Sequence, residues 1–433
     1  FYTKWLKDLA ADQYPSGAVP NVIPDMLKDV AGIIGKGGAT GWADAAVIVP
    51  WTVYQTYGDQ RILKEQYPSM KKWVGFMQKK AGDNLIWNTP KHWHWGDWLA
   101  FNTDKPDYAG SVTEKDLIAT AYFYHSTNLL AQIASIIGKK EEAATFKQLA
   151  KNIKTAFANE YITPNGRLVS HTQTAYALAL SFDLIPDELV EKSAQYFAAD
   201  VEKFGHLTTG FLGTPLLCKT LSKIGRADLA FMLLNRKEYP SWLYPVTQGA
   251  TTIWERWDSF TKEDGFGRHN AAMNSFSHYA FGAVCEWMFR TLAGIESDGA
   301  GYKKITIHPH PPKPQSNAMH APIDWVRASY DSIRGEIKSE WRLKENQFEL
   351  NVLIPANTSA TVYLPTSDLN SIRESGNPLD GHPHVQVLRS EKTNVVLSVA
   401  SGSYQFAAKS GLTPATVAIK TSKAKDNSLN PER

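Results

Sequence analysis

The sequence predicts a mainly α-helical chain that closes in a smaller β-rich domain, and three observations lead there. From the start to about Gly294, apolar residues recur at three- and four-residue steps between polar loops. Beyond Gly294 the period drops to two, the signature of half-buried strands. Finally, 433 residues that are 43% apolar, 12% aromatic and 21% charged can bury a sizeable core, which excludes disorder. The expected division is a helical domain over 1–294, a β-domain over 295–410 and a tail over 411–433.

Phe1 to Leu9 carries an amphipathic pattern that reads as a helix already under way, with nothing to read before it. Apolar stripes then predict helices over Ala45–Tyr57 and Ile62–Met77. The clearest run is Thr113–Ile137, opened by the cap signals Ser111 and Thr113 and closed by Gly138. Phe146, Leu149, Ile153 and Phe157 mark the next helix. Further stripes cover Thr172–Phe182, Glu188–Phe204, Thr214–Ile224, Ala227–Leu234 and Asn274–Leu292, giving roughly ten helices. After the stiff entry at Pro309, Pro311, Pro312 and Pro314, alternation predicts strands over Phe348–Ile354, Thr361–Leu364 and Val395–Val399. Lys409 to Arg433 reads as a frayed end.

Charge and cysteine content narrow the function classes. Basic residues number 46 against 43 acidic ones, a net +3, so the clustered surplus that nucleic acid or an anionic membrane would select is missing. Cys218 and Cys285, each inside an apolar run, are expected to be small buried residues, and two cysteines make no disulfide framework. No apolar run approaches the roughly 20 residues of a membrane span, and no basic-then-apolar leader opens the chain.

Four clusters could carry chemistry. Tyr239 to Asp258 packs Tyr239, Trp242, Tyr244, Trp254 and Trp257 among prolines and the charged Glu255, Arg256 and Asp258. Aromatic faces such as that of Trp254 stack on the C–H faces of sugar rings, and carboxylates bind hydroxyls or act as acid and base, so this mixture points to carbohydrate. The bland alternative is that Trp254 and Trp257 are buried helix residues beside a Glu255–Arg256 ion pair. The second cluster is the loop His92-Trp93-His94-Trp95-Gly96-Asp97-Trp98. The third, Gly41-Trp42-Ala43-Asp44, ends a Gly-rich loop where Asp44 either serves a site or caps the following helix. In the fourth, Asn274-Ser275-Phe276-Ser277-His278-Tyr279, His278 is as suited to a site as to a structural role.

Histidine pairs at His92/His94, His308/His310 and His382/His384 offer two ligands each, too few for a metal site, so neither metal nor cofactor is expected. Phosphate-binding loops, a Gly-x-Ser-x-Gly elbow and a Cys–His pairing are all missing, which leaves carboxylates as the catalysts.

With these residues in hand, the chain resembles the catalytic and C-terminal domains of bacterial α-L-rhamnosidases of glycoside hydrolase family 78 from Phe1 to about Phe406. The stretches that carry the resemblance are Gly41 to Trp51, Gly96-Asp97-Trp98-Leu99, Gly249 to Trp257, Asn274 to Glu286 and Gly301 to Ile305. It implies an (α/α)6 barrel, here lacking its first helix or helices, followed by an antiparallel β-sandwich. It also implies inverting hydrolysis of terminal α-L-rhamnosides, so that a rhamnose-containing glycoside or polysaccharide is the expected partner. On this chain the resemblance makes Glu255 the general base, His278 a sugar contact beside it, and Trp42, Asp44, Trp95 and Asp97 lining of the rhamnose pocket.

The family's general acid, a Glu in an Asp/Arg-rich stretch on the preceding segment, has no counterpart here. Inversion needs two carboxyl groups about 6.5–9.5 Å apart, so within this chain Asp44 or Asp97 would have to serve as the acid. The expectation is therefore weak or absent turnover by the chain alone. Two rivals stand beside the rhamnosidase: another (α/α)6 glycosidase, and a non-catalytic carbohydrate-binding remnant.

Overall fold

The computed structural model describes residues 1–30, 36–89, 92–100, 112–266, 274–312, 323–344 and 346–409. The tail expected over 411–433, the cap signal Ser111 and the entry residue Pro314 lie outside the described residues.

Helices of two kinds alternate along the first two thirds. α2 (Ala45–Tyr57), α4 (Lys115–Ile136), α6 (Gln173–Ser181) and α8 (Thr214–Lys223) form one series. α4 and α6 are apolar nearly all round and lose most of their side chains to the interior, as a helix surrounded by others must. α3 (Gln60–Ala81), α5 (Lys140–Tyr161), α7 (Val190–Phe204) and α9 (Ala227–Asn235) form the other series. α5 buries only Ala150, Ile153, Phe157 and Tyr161, and α7 only one stripe with Phe197 and Val201 at its centre. In the first series α2 packs on α4, α4 on α6 and α6 on α8; in the second, each helix packs on the one before it in the chain. Inner helices therefore follow one another around the core, each backed by an outer partner, which is a sequence of α-hairpins. α1 (Tyr2–Asp12) rests on α2 and α3. Glycines end the helices sharply: Gly58, at φ 71°, donates its N–H to the Tyr54 carbonyl and stops α2.

After the short α10 (Leu243–Thr247), the expected helix over Asn274–Leu292 is replaced by a broken run. A 3-10 turn at Ala280–Ala283 and α11 (Val284–Trp287) pack against α8, and a π turn at Met288–Leu292 follows. Asn274–Tyr279 cannot be helical because its backbone is committed elsewhere: the Glu255 N–H donates to the Ser275 carbonyl and the His278 N–H to the Ile253 carbonyl. Cys218 is buried as expected, whereas Cys285, on α11, is exposed.

The strands are β1 (Ile295–Ser297), β2 (Lys304–Ile307), β3 (Trp325–Ser332), β4 (Gly335–Lys344), β5 (Gln347–Leu364), β6 (Arg373–Glu374), β7 (Asn377–Pro378), β8 (Val385–Ser390) and β9 (Val395–Lys409). β5 is the spine: it pairs antiparallel with β4 and β9 and parallel with β2, so the domain is mixed rather than purely antiparallel. Two of the expected strands are one, continuous through a register shift between Ile354 and Ser359. Alternate residues of β2, β4, β5, β8 and β9, including Ile305, Trp341, Leu350, Val362, Leu397 and Phe406, meet in one core distinct from that of the helices.

Helical and β-rich parts are joined by hydrogen bonds as well as by chain. Trp341 on β4 donates its indole N–H to the Leu292 carbonyl at 2.6 Å, and Ser339 its hydroxyl to the Ala293 carbonyl at 2.6 Å. Among the described residues no helix is long and apolar enough to cross a membrane.

Candidate active site

The site is assembled from four loops at helix ends. The first two, 36–44 and 92–100, are tied by His94, whose Nδ1 faces the backbone N–H of Thr40 at 3.2 Å and its hydroxyl at 3.0 Å. An N–H can only donate, so Nδ1 accepts and the ring proton sits on Nε2. Burial, with help from His92 and Lys115, pushes the His94 pKa down to about 3, so the ring is neutral. His92 makes a second tie through Nε2 and the Gly38 carbonyl at 2.9 Å. These ties bring Trp42 and Trp95 together with ring centroids 6.1 Å apart and planes tilted by 40°. Trp95 in turn stands edge-on to Trp93 and Trp98, at 5.7 and 5.5 Å.

Asp97 brings in the third loop, 205–213. Its Oδ1 accepts the N–H groups of Leu212 and Gly213 at 2.8 and 2.9 Å, and its Oδ2 accepts the Gly210 N–H at 2.7 Å and the Thr174 hydroxyl. Gly210 has to be glycine, since a Cβ there would lie 2.2 Å from the Trp98 carbonyl oxygen. Asp44 plays the matching part under the first loop: Oδ1 accepts from the Trp73 indole at 3.0 Å and the Ser126 hydroxyl at 2.5 Å, and Oδ2 from the Gly41 N–H at 2.8 Å.

Both aspartates are 0% exposed. Burial raises both pKa values, and the surrounding donors pull them back. The charges of both also reach the buried Tyr122, whose phenol is raised by its own burial first and by Asp44 and Asp97 next. Asp44 and Asp97, expected to line a pocket, are enclosed in the structure, and each of their carboxylate oxygens faces a protein donor. Nor does Asp44 cap α2, since it stands at the N-cap position without a side-chain bond to the helix.

Phe211 carries the connection to the fourth region. Its N–H donates to the Trp98 carbonyl at 2.9 Å, and its ring stacks on His278 at 4.7 Å with a 26° tilt. The segment holding His278 is hydrogen-bonded to the segment holding Glu255, and the Ser275 N–H donates to Glu255 Oε2 at 2.8 Å. Glu255 is partly exposed, and its Oε1 has no hydrogen-bond partner among the described residues. Trp254 is 7% exposed and packs on Phe276 and Phe260, so its ring braces the loop rather than presenting a face. Trp257 is core, stacked on Phe281 at 4.0 Å; neither tryptophan lies on a helix.

All seven sequence-predicted positions thus fall in one connected region: Trp42, Trp95, Glu255 and His278 are accessible in part, and Asp44, Asp97 and Trp254 are enclosed. The sequence reading misses Phe211 and its loop, whose signal is the Gly210-Phe211-Leu212-Gly213 pattern, and it misses the Thr40–His94 tie. Among the described residues no group of three or more His, Cys, Asp or Glu side chains is placed to hold a metal ion.

Residues 1–292 match the family model described as the bacterial α-L-rhamnosidase six-hairpin glycosidase domain, and 294–378 match the bacterial α-L-rhamnosidase C-terminal domain. The chain belongs to the bacterial α-L-rhamnosidase family. It is 38% identical to an α-L-rhamnosidase of Formosa agariphila over 95% of this chain and 42% of that protein. Against an α-L-rhamnosidase of Streptomyces avermitilis the identity is also 38%, over 94% of this chain and 36% of the relative. The crystal structure of the Streptomyces avermitilis α-L-rhamnosidase complexed with L-rhamnose superposes with a TM-score of 0.81 at 37% identity, covering 94% of this chain and 36% of that one. Native α-L-rhamnosidase from Aspergillus terreus gives a TM-score of 0.78 at 31% identity, over 94% of this chain and 43% of that one. The chain therefore spans less than half the length of these rhamnosidases. Its alternating inner and outer helices are those of the family's six-hairpin domain, followed by the sheet domain.

Proposed function

We propose that this chain supplies the base side of an inverting hydrolysis of terminal α-L-rhamnosides, with Glu255 activating water. The observation that carries the reading is the Glu255 carboxylate itself, fixed through Oε2 by the Ser275 N–H while Oε1 is left without a partner among the described residues. A base held in this way keeps one oxygen aimed and the other ready to take a proton from water. Trp42 and Trp95 offer aromatic faces for the C–H side of the sugar, and His278, held by its stack on Phe211, is a hydroxyl partner beside the base. Asp44, Asp97 and Trp254 keep these groups in position. The substrate class is a rhamnose-containing glycoside or polysaccharide, a reading supported by the names of the relatives and by the L-rhamnose bound to the Streptomyces avermitilis rhamnosidase.

The general acid is neither Asp44 nor Asp97. A general acid must aim a proton at the leaving oxygen, and on both residues each oxygen already receives an N–H or O–H from the protein. The same observation favours a second reading, a carbohydrate-binding module without turnover. Hydrolysis of p-nitrophenyl α-L-rhamnoside by the 433-residue chain and by a form extended upstream, each beside its Glu255→Gln variant, separates the two. Activity in either form that is lost with Glu255→Gln supports the hydrolase; L-rhamnose binding without turnover in both forms supports the binding module. Activity confined to other nitrophenyl glycosides overturns both.

A further inference from the structure

Ser275, whose N–H holds Glu255 Oε2, is tied down on both sides. After it, the Phe276 carbonyl accepts the Thr252 hydroxyl, and the His278 N–H donates to the Ile253 carbonyl at 2.8 Å. Before it, the Asn274 side chain reaches past Glu255 and donates its Nδ2–H to the Ser259 carbonyl at 2.9 Å.

The Ser259 end of that tie is a fixed point. Ser259 is 0% exposed. Its hydroxyl donates to the Arg256 carbonyl at 3.0 Å and accepts the Arg256 N–H at 3.2 Å, which closes the turn 256–259 directly after Glu255. Trp257, inside the turn, is stacked on Phe281 in the core. A carbonyl can only accept, so the Asn274 carboxamide presents its NH2 group to Ser259 and turns Oδ1 away. That Oδ1 is buried and meets no donor among the described residues. A buried acceptor without a donor costs stability, and a leucine of nearly the same shape would bury no such group. What the carboxamide alone offers is the N–H that pins the backbone beside Ser275 to the turn beside Glu255.

We propose that Asn274 is a positioning residue for Glu255, acting through Ser275. The inference rests on the reading of Glu255 as the general base. With Asn274 anchored on one side and Phe276 on the other, the Ser275 N–H is held 2.8 Å from Oε2, and Oε1 keeps its aim at the water. Without the Asn274 tie the Ser275 backbone can shift, and the carboxylate shifts with it. The effect is confined to the base. Trp42 and Trp95 lie on other loops, and His278 has its own ties to Ile253 and Phe211, so the sugar contacts stay in place.

Two measurements test this. Amide hydrogen exchange on the 433-residue chain reads the bonds directly: in Asn274→Leu, exchange at the Glu255 and Ser275 amides is expected to quicken while that at the His278 amide stays as in the parent. Kinetics on p-nitrophenyl α-L-rhamnoside, in whichever of the 433-residue and upstream-extended forms turns over, read the consequence. Asn274→Leu should lower kcat by about ten- to 100-fold, the scale of a misplaced catalytic group, with KM and L-rhamnose affinity unchanged. Asn274→Gln, which keeps the N–H on a longer arm, should recover part of the loss. Added to Glu255→Gln, Asn274→Leu should lower the residual rate no further, since the group it aims is gone. Unchanged exchange at Glu255 and Ser275, an unchanged kcat, or an equal loss in the Glu255→Gln background overturns the positioning role and leaves Glu255 as the base. A Glu255→Gln protein as active as its parent, or no turnover by either parent form, overturns the reading of the base and this inference together.

Discussion

Ser275 and Glu255 are joined twice. The Ser275 carbonyl accepts the Glu255 N–H at 2.9 Å, and the Ser275 N–H donates back to Glu255 Oε2 at 2.8 Å. One residue thus fixes both the backbone and the side chain of the proposed base, and the pairing continues to the His278 N–H on the Ile253 carbonyl. The orientation of Glu255 therefore depends on the non-helical path of its partner segment, Asn274–Tyr279.

Glu255→Gln keeps an oxygen for the Ser275 N–H and removes the base. Wherever the protein turns over p-nitrophenyl α-L-rhamnoside, kcat is expected to fall by at least about 100-fold, the usual scale for a general base. L-rhamnose affinity and the thermal midpoint should change little. Steady-state kinetics beside a ligand titration check this, and an unchanged kcat would remove Glu255 from the chemistry.

Asp97 has a different signature. Three backbone N–H groups, those of Gly210, Leu212 and Gly213, depend on it. Asp97→Ala strands all three in the interior and is expected to cost about 3–5 kcal/mol of stability. Urea unfolding followed by circular dichroism measures the loss, which should far exceed that of Glu255→Gln. A pocket-lining aspartate would show the reverse, lost binding with stability intact.

Gly210 tests the same cradle from the backbone side. A methyl group there would meet the Trp98 carbonyl oxygen at 2.2 Å and the Ala100 nitrogen at 2.6 Å, and neither is the end of a flexible side chain. Gly210→Ala should lower stability by about 1–3 kcal/mol and weaken sugar binding along with it, because Phe211 carries His278. Melting curves with and without L-rhamnose read both effects; a variant as stable as the parent would mean the loop yields freely.

What can be read from sequence divides along a physical line. Ala45–Tyr57 and Thr214–Ile224 are legible because a helix on a core repeats its apolar face every turn, and the structure ends them within a residue of that pattern. The concentration of aromatic and charged residues around Trp42, Trp95 and Glu255 is legible in the sequence, and the structure places all three outside helices. Asn274–Tyr279 is misread because its backbone pairs with a distant segment, which leaves no local period. β5 is split in two because Pro355, Asn357 and their neighbours look like a turn, and the strand absorbs them as a register shift with Asn357 at φ 59°. The enclosure of Asp44 and Asp97 is out of reach altogether, because it depends on Trp73, Ser126 and Thr174, residues 29 to 82 positions away.

His94 turns one of these long-range ties into a pH dependence. Its pKa in the folded protein, about 3, lies below the ordinary imidazole value of 6.5. Between those values the unfolded chain binds a proton that the folded chain refuses, so stability is fully present above pH 6.5 and is lost as pH falls toward 3. One such group contributes a slope of up to about 1.4 kcal/mol per pH unit in that window. His94→Asn keeps an acceptor for the Thr40 N–H and cannot be protonated there, so its stability should fall less steeply than the parent's between about pH 6.5 and 4.5. The remaining slope belongs to other buried imidazoles, of which His125 and His308 are also pushed down by burial, to about 4 and about 3. Guanidinium unfolding at several pH values gives both curves, and parallel curves would mean that the two loops are not held together by a neutral His94.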